Sequence, residues 1–455
     1  MKRIIVLFTC VFLFLTSSVL SFSAVSGQTT AEGAIIENPL YVWLIAGQSN
    51  AAGYTSGTSY SGNRRYIDVL YYGIADDQSL SSAEVTDVHI GLGADSSKIG
   101  PEMGMAASVT GNEEGRDYAI IKCAYGGTPF SPSAISADTS AQSYRYGSWT
   151  SPGYLADHPT SNSRAGLCYE NLLKVVESGL KTYRSLGYTP IVSGVAWMQG
   201  EADAWSNISS EVYKELLLDF VSDLQQDVKE IGESLSLPQT DAFPLVTALI
   251  PEDYANGNAQ KIRDGMTAAA AENEFISTID NNDLTIGSDG HHYKTSSMVR
   301  LGRNFGAAIL SAQSYEDTFV SVSYREGCSG ETRTLSGAAG NRAEVFVTVG
   351  EDKIFDVAFT KTDGTQVSQD VLSYGSTEQG FYFTLPEYNL KISIAAVEVE
   401  TPEPNPPDQE PLPEGKPSGG GLSAWEIAAI AIGAVIVVAC AAVIVWKVIK
   451  RKKSK

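Results

Sequence analysis

Two periods of apolar residues alternate along most of this chain. The runs "YVWLIAG", "YAIIKCAYGG", "VSGVAWMQG" and "PLVTALI" are short, largely apolar and closed by turn-forming residues. Such runs fit strands covered on both faces. Between them, "AGLCYENLLKVVESGLKTYRSLG" and "SEVYKELLLDFVSDLQQDVKEIGE" place apolar residues at helical spacing. Strand alternating with helix predicts an α/β domain over residues 38–314, a parallel sheet with helices on both faces. Ligands of such sheets bind beyond the carboxyl ends of the strands. Ser49, Gly127 and Gln199 fall at three of those ends.

The helical period vanishes after residue 318. "TFVSVSYREG", "RAEVFVTVG" and "GFYFTLPEYNLKISIAAVEV" alternate like strands and break at Gly, Asp and Pro. They predict a small all-β, sandwich-like module over 318–399. A Pro-rich, then Gly-rich stretch at 400–422 reads as a stalk. The basic start, apolar middle and small-residue exit of 1–27 read as a secretory signal peptide. The apolar stretch at 424–446 is long enough for a transmembrane helix, with Trp425 and Trp446 near its ends and a basic tail at 447–455. The ends therefore predict a single-pass protein on the extracellular face of a cell membrane, its C-terminus in the cytoplasm.

The formal net charge of −21 changes the picture only by exclusion. An acidic chain does not favour nucleic acid or anionic lipid. Setting aside Cys10 and Cys440 in the apolar ends leaves Cys123, Cys168 and Cys328, too few for a disulfide scaffold. So sparse a set in a large secreted chain points to a bacterial surface.

The candidate chemistry starts at "GQSNAAG", where a buried strand ends on Ser49. A nucleophilic serine needs a base, an acid to orient it, and donors for the oxyanion. The chain has four histidines: His89, His158, His291 and His292. Asp289 stands three residues before His292, a spacing that can set a carboxylate behind an imidazole within one loop. Gly126 and Gly127 end a second strand, where backbone N–H groups can approach a ligand. Gln199 ends a third, and its amide can donate to an oxyanion. A metal site from Asp289, His291 and His292 is the weaker alternative, since adjacent histidines seldom point the same way.

"GQSNAAG", "IGPEMGMA", "IKCAYGGT", "AWMQGEADA" and "DGHHY" resemble, in order, the sequence blocks of the sialic-acid-specific acetylesterase family within the SGNH hydrolases. The resemblance implies a three-layer α/β/α, flavodoxin-like fold and ester hydrolysis on carbohydrates without metal or cofactor. It implies Ser49 as nucleophile, His292 as base and Asp289 as acid. The oxyanion donors would be the Ser49 N–H, a glycine of the Gly126–Gly127 pair, and Gln199. Glu102 reads as support, Glu201 and Asp203 as support or cleft lining, and His291 as pocket-lining. The insert Ser143–Asn162, rich in Tyr, Trp and polar residues, suits contact with sugar rings. The expected activity is removal of O-acetyl groups from glycans, sialic acids first. Deacetylation of xylan or another polysaccharide is the alternative within enzymes, and a glycan-binding adhesin is the alternative outside them.

Overall fold

The strand Pro39–Gly47 (β1) is buried at all nine positions, as an unbroken apolar run requires when both faces are covered. The computed structural model describes residues 35–398, apart from 112–114, 240, 314–316, 351–352 and 378. The expected signal peptide and stalk lie outside those residues.

Six further strands complete the sheet: Arg65–Ala75 (β2), Thr86–His89 (β3), Asp117–Ala124 (β4), Thr189–Met198 (β5), Leu245–Ala248 (β6) and Ile276–Ile279 (β7). The order is β7-β6-β5-β1-β4-β2-β3. All neighbours are parallel except β2 and β3. This differs from the flavodoxin-like order, in which the first two strands are neighbours. Here β4 lies between β1 and β2. The chain leaves β1 toward one edge and later returns to build the other, so β1 and β5 flank the switch point.

Helices form both outer layers. Glu102–Val109 (α2, after the short α1 at Ser49–Ala52) packs with Thr295–Ala312 (α7) on one face. On the other lie Leu167–Ser185 (α3) and Ser210–Ser234 (α5), with Ala259–Glu272 (α6) against α5 and β7. Glu201–Trp205 (α4) follows β5. The helices are amphipathic: α5 buries Tyr213, Leu216, Leu217, Phe220, Leu224 and Val228 and turns its charges outward.

That amphipathicity bears on the membrane. No helix of the described residues is long and apolar enough to cross one. Even the 25-residue α5 carries a charged face, whereas a span needs about 20 mostly apolar residues. The expected transmembrane helix at 424–446 lies outside the described residues. The fold is therefore corrected to an α/β domain and a β module without the spanning helix, and the single-pass surface topology is not carried forward.

Residues after 317 build three small sheets around Val320, Leu335, Phe359, Phe381, Phe383 and Ile394. One of these sheets takes in Ile36–Glu37, paired antiparallel with Thr334–Gly337. Asn38, at φ 49°, then turns the chain into β1, its Oδ1 accepting from the N–H of Arg333 at 2.6 Å. The Arg333 guanidinium donates to Tyr188 Oη at 3.0 Å. A segment ahead of the α/β domain thus completes the module's sheet. Cys123, Cys168 and Cys328 are free thiols.

Candidate active site

The ends of β4, β1 and β5 are level. Gly47 pairs with Ala124 on one side and Met198 on the other, so whatever follows each strand emerges at one place. Gly47 has φ 133°, and a Cβ there would lie 2.1 Å from Met198 O. Only glycine lets β1 end this close to β5. The Gln48 N–H donates to Met198 O at 2.9 Å, and α1 begins at Ser49. As the first helical residue, Ser49 has no intrahelical acceptor for its N–H.

The expected acid and base meet within one turn. Asp289 Oδ1 accepts the N–H groups of His291 and His292 at 3.0 and 3.1 Å. Its Oδ2 lies 2.9 Å from His292 Nδ1. Burial pushes the Asp289 carboxyl up, but those two backbone donors and the His292 ring together hold it well below the usual carboxylate range. The His292 ring stacks on Tyr54, centroids 4.9 Å apart.

Ser49 and His292 line one cleft of about 430 Å³, with Gln48, Tyr54, Gly127, Gln142, Trp205, Tyr254 and His291 among its other walls. Among the described residues no hydrogen bond joins Ser49 to His292. A second hollow, about 670 Å³, shares the Tyr54–His292 wall and is lined by Lys98 and Lys294 as well.

The two glycines differ. The Gly126 N–H donates to Asp76 Oδ1 at 2.7 Å. Gly127, at φ 62°, is exposed at the cleft, and its N–H has no acceptor among the described residues.

Gln199 is not brought to the cleft. It is fully buried, and its Nε2 faces Asp203 Oδ2 at 2.6 Å, Thr128 O at 3.2 Å and Gln48 Oε1 at 3.3 Å. Its Oε1 accepts from Tyr213 Oη at 2.9 Å. Gln48, itself 4% exposed, lines the cleft instead. Its Oε1 is fixed by Gln199 and by the N–H groups of Gly200 and Ala202. Its Nε2 has no protein acceptor among the described residues and is not one of the fully enclosed unpaired atoms.

The acidic residues expected as support are buried and tie loops together. Asp203 accepts from Phe130 N at 2.7 Å, Ser131 N at 2.9 Å and Gln199; burial nevertheless pushes its carboxyl up to about 6. Burial likewise raises the Glu201 carboxyl, which accepts from Asn50 Nδ2 at 2.9 Å. Glu102 pairs with Lys122 at 3.0 Å, both fully buried. Lys122 Nζ also donates to Ala52 O at 3.3 Å, pinning the end of α1. A lone lysine inside "AIIKCA" was the signal for this pair, one the sequence reading did not use. His291 lines the cleft and faces Tyr254 Oη through Nδ1 at 3.1 Å. Its ring centroid lies 6.3 Å from that of His292. Among the described residues no group of three or more His, Cys, Asp or Glu side chains is placed to hold a metal.

The insert contributes Ser143 to the cleft, beside Gln142 and Ala134 that precede it, but not its tryptophan. Trp149 is fully buried and donates to Thr128 Oγ1 at 2.8 Å.

Solved structures with a similar fold include a protein of Arabidopsis thaliana, 20% identical over 60% of this chain and 98% of its own, TM-score 0.40. NanS is 15% identical over 61% of this chain and 98% of its own, TM-score 0.41. A carbohydrate acetylesterase from Xanthomonas citri is 12% identical over 76% and 72%, TM-score 0.39. Likeness at this level carries no argument about this chain. No curated protein matches the chain in sequence. The family described as carbohydrate esterase, sialic acid-specific acetylesterase, matches residues 39–311. That span covers more than half of the chain and holds every part of the cleft described above. The chain belongs to that family, and it is a carbohydrate acetylesterase.

Proposed function

We propose that this enzyme removes O-acetyl groups from glycans, sialic acids foremost, through an acetyl-enzyme on Ser49. The supporting observation is the arrangement of Ser49 and His292 on one cleft, with Asp289 2.9 Å behind His292 Nδ1. That contact fixes the tautomer and leaves Nε2 as the base.

In this reading Ser49 Oγ attacks the acetyl carbonyl carbon and its proton passes to His292 Nε2. The C–O bond to the sugar breaks, and the leaving oxygen takes that proton. Water then attacks the acetyl-enzyme, its proton passing through His292 to Ser49 Oγ as acetate leaves. The tetrahedral oxyanion is met by the N–H groups of Ser49 and Gly127 and by the Gln48 amide. Gln199 acts beneath them, holding Gln48. Gly126 serves by seating the loop on Asp76.

The test is acetate release from three substrates: 4-nitrophenyl acetate, a 9-O-acetylated sialoside and an acetylated xylo-oligosaccharide. Turnover of the sialoside above the xylo-oligosaccharide is expected. The reverse ranking would make the enzyme a polysaccharide deacetylase. No acetate from any of them would overturn the esterase mechanism and leave a binding protein.

A further inference from the structure

Of the four tryptophans among the described residues, Trp43, Trp149 and Trp197 are fully buried, and Trp205 is 55% exposed. That exposed indole lies in the wall of the cleft that holds Ser49 and His292. It closes α4, the short helix in which Glu201, Asp203 and Ala204 are buried. The indole therefore stands on a rigid base.

Its neighbours hold it upright. Trp205 meets Tyr254 edge-on, centroids 5.7 Å apart at 75°. Tyr254 meets His291 at 77° and shares the 3.1 Å contact between its hydroxyl and His291 Nδ1. Just after Tyr254, Ala255 and Asn256 sit at φ 52° and 55°, a backbone region L-residues rarely adopt and one found at ligand clamps. An edge-to-face contact with one ring occupies at most one face of the indole, and Trp205 is 55% exposed, which leaves the other face open. An apolar face with a polar wall across the cleft suits a ring with apolar C–H groups on one side and hydroxyls at its edge.

We infer that Trp205, buttressed by Tyr254 and His291, is the platform on which the pyranose ring of the acetylated sugar stacks. This rests on the esterase reading for the identity of the ring, and its test is independent of turnover.

The experiment is calorimetric titration of the 9-O-acetylated sialoside and the acetylated xylo-oligosaccharide into Ser49→Ala and Ser49→Ala/Trp205→Ala. It is paired with kinetics of the single Trp205→Ala and Trp205→Phe variants. Weakening of sugar binding by roughly tenfold in the double variant is expected. The single Trp205→Ala variant should raise KM for the sugar ester by about the same factor, with a much smaller change in its kcat. Trp205→Phe should recover most of the loss. Equal binding with and without Trp205, no binding of either sugar, or a loss that falls on kcat and not on KM would overturn the platform. Binding that depends on Trp205 without acetate release would keep the platform and sink the esterase mechanism.

Discussion

Asn50 Nδ2 donates to Glu201 Oε1 at 2.9 Å across 151 positions of sequence. The same amide reaches His291 O at 3.2 Å and accepts the Tyr293 N–H at 3.3 Å. One side chain beside the serine therefore holds both the loop after β5 and the loop that carries His292. Asn50→Ala should remove donors from a buried carboxylate and release the histidine turn. A loss of about 1–3 kcal/mol in stability is expected, with kcat falling further than the folded fraction. Melting temperature and kcat on one preparation decide it; a folded variant with unchanged kcat would free the histidine loop from Asn50.

Ser49→Ala should abolish acetate release with an unchanged circular dichroism spectrum, by roughly 10⁴-fold or more. His292→Ala should be nearly as damaging. His291→Ala should be mild on 4-nitrophenyl acetate, because His291 lacks the ring contact to Asp289. A side-by-side assay in which His291→Ala is the worse of the two would exchange their roles.

The two glutamines separate the donor from its support. Gln48→Ala should lower kcat by roughly 10²–10³ in the fully folded fraction, as for loss of one oxyanion donor, with some loss of melting temperature because the Gly200 and Ala202 N–H groups lose their acceptor. Gln199→Ala empties a fully buried position and leaves Asp203 and Tyr213 short of partners, so it should lower the melting temperature as well. If Gln199→Ala alone cut kcat in a protein of unchanged stability, Gln199 and not Gln48 would be the donor.

Two carboxylates give stability opposite dependences on pH. Asp203, raised from 3.8 to about 6 by burial, holds its proton in the folded state where the unfolded chain has lost it. Its contribution is full below the ordinary value and is lost as pH rises toward 6. Asp289 is depressed, so its contribution is present above the ordinary value and is lost as pH falls below it. Denaturation midpoints between about pH 2.5 and 7.5 should show Asp203→Asn flattening the segment between 4 and 6, and Asp289→Asn flattening the acid limb. A wild-type and Asp289→Asn gap that widens toward low pH would contradict the sign.

Strand and helix periods, the turn at Ser49, and the three-residue spacing of Asp289 and His292 are properties of neighbouring residues. For that reason the sequence alone determined the α/β class, the run of strands after residue 318 and the contact between Asp289 and His292. Which strands are neighbours is a long-range matter: periodicity is the same whether β2 or β4 lies beside β1, so the strand order departed from the flavodoxin-like one. The same holds for the side chains at the strand ends. Gln48 and Gln199 are both polar residues at turns, and no local pattern says which amide reaches the cleft. Packing decided it, because β1 and β5 end level and Gln199, enclosed by Thr128, Asp203 and Tyr213, lies beneath Gln48. Trp205 was as hidden. An indole reads as core until the fold buries three others and leaves this one on a short helix where Glu201, Asp203 and Ala204 face inward.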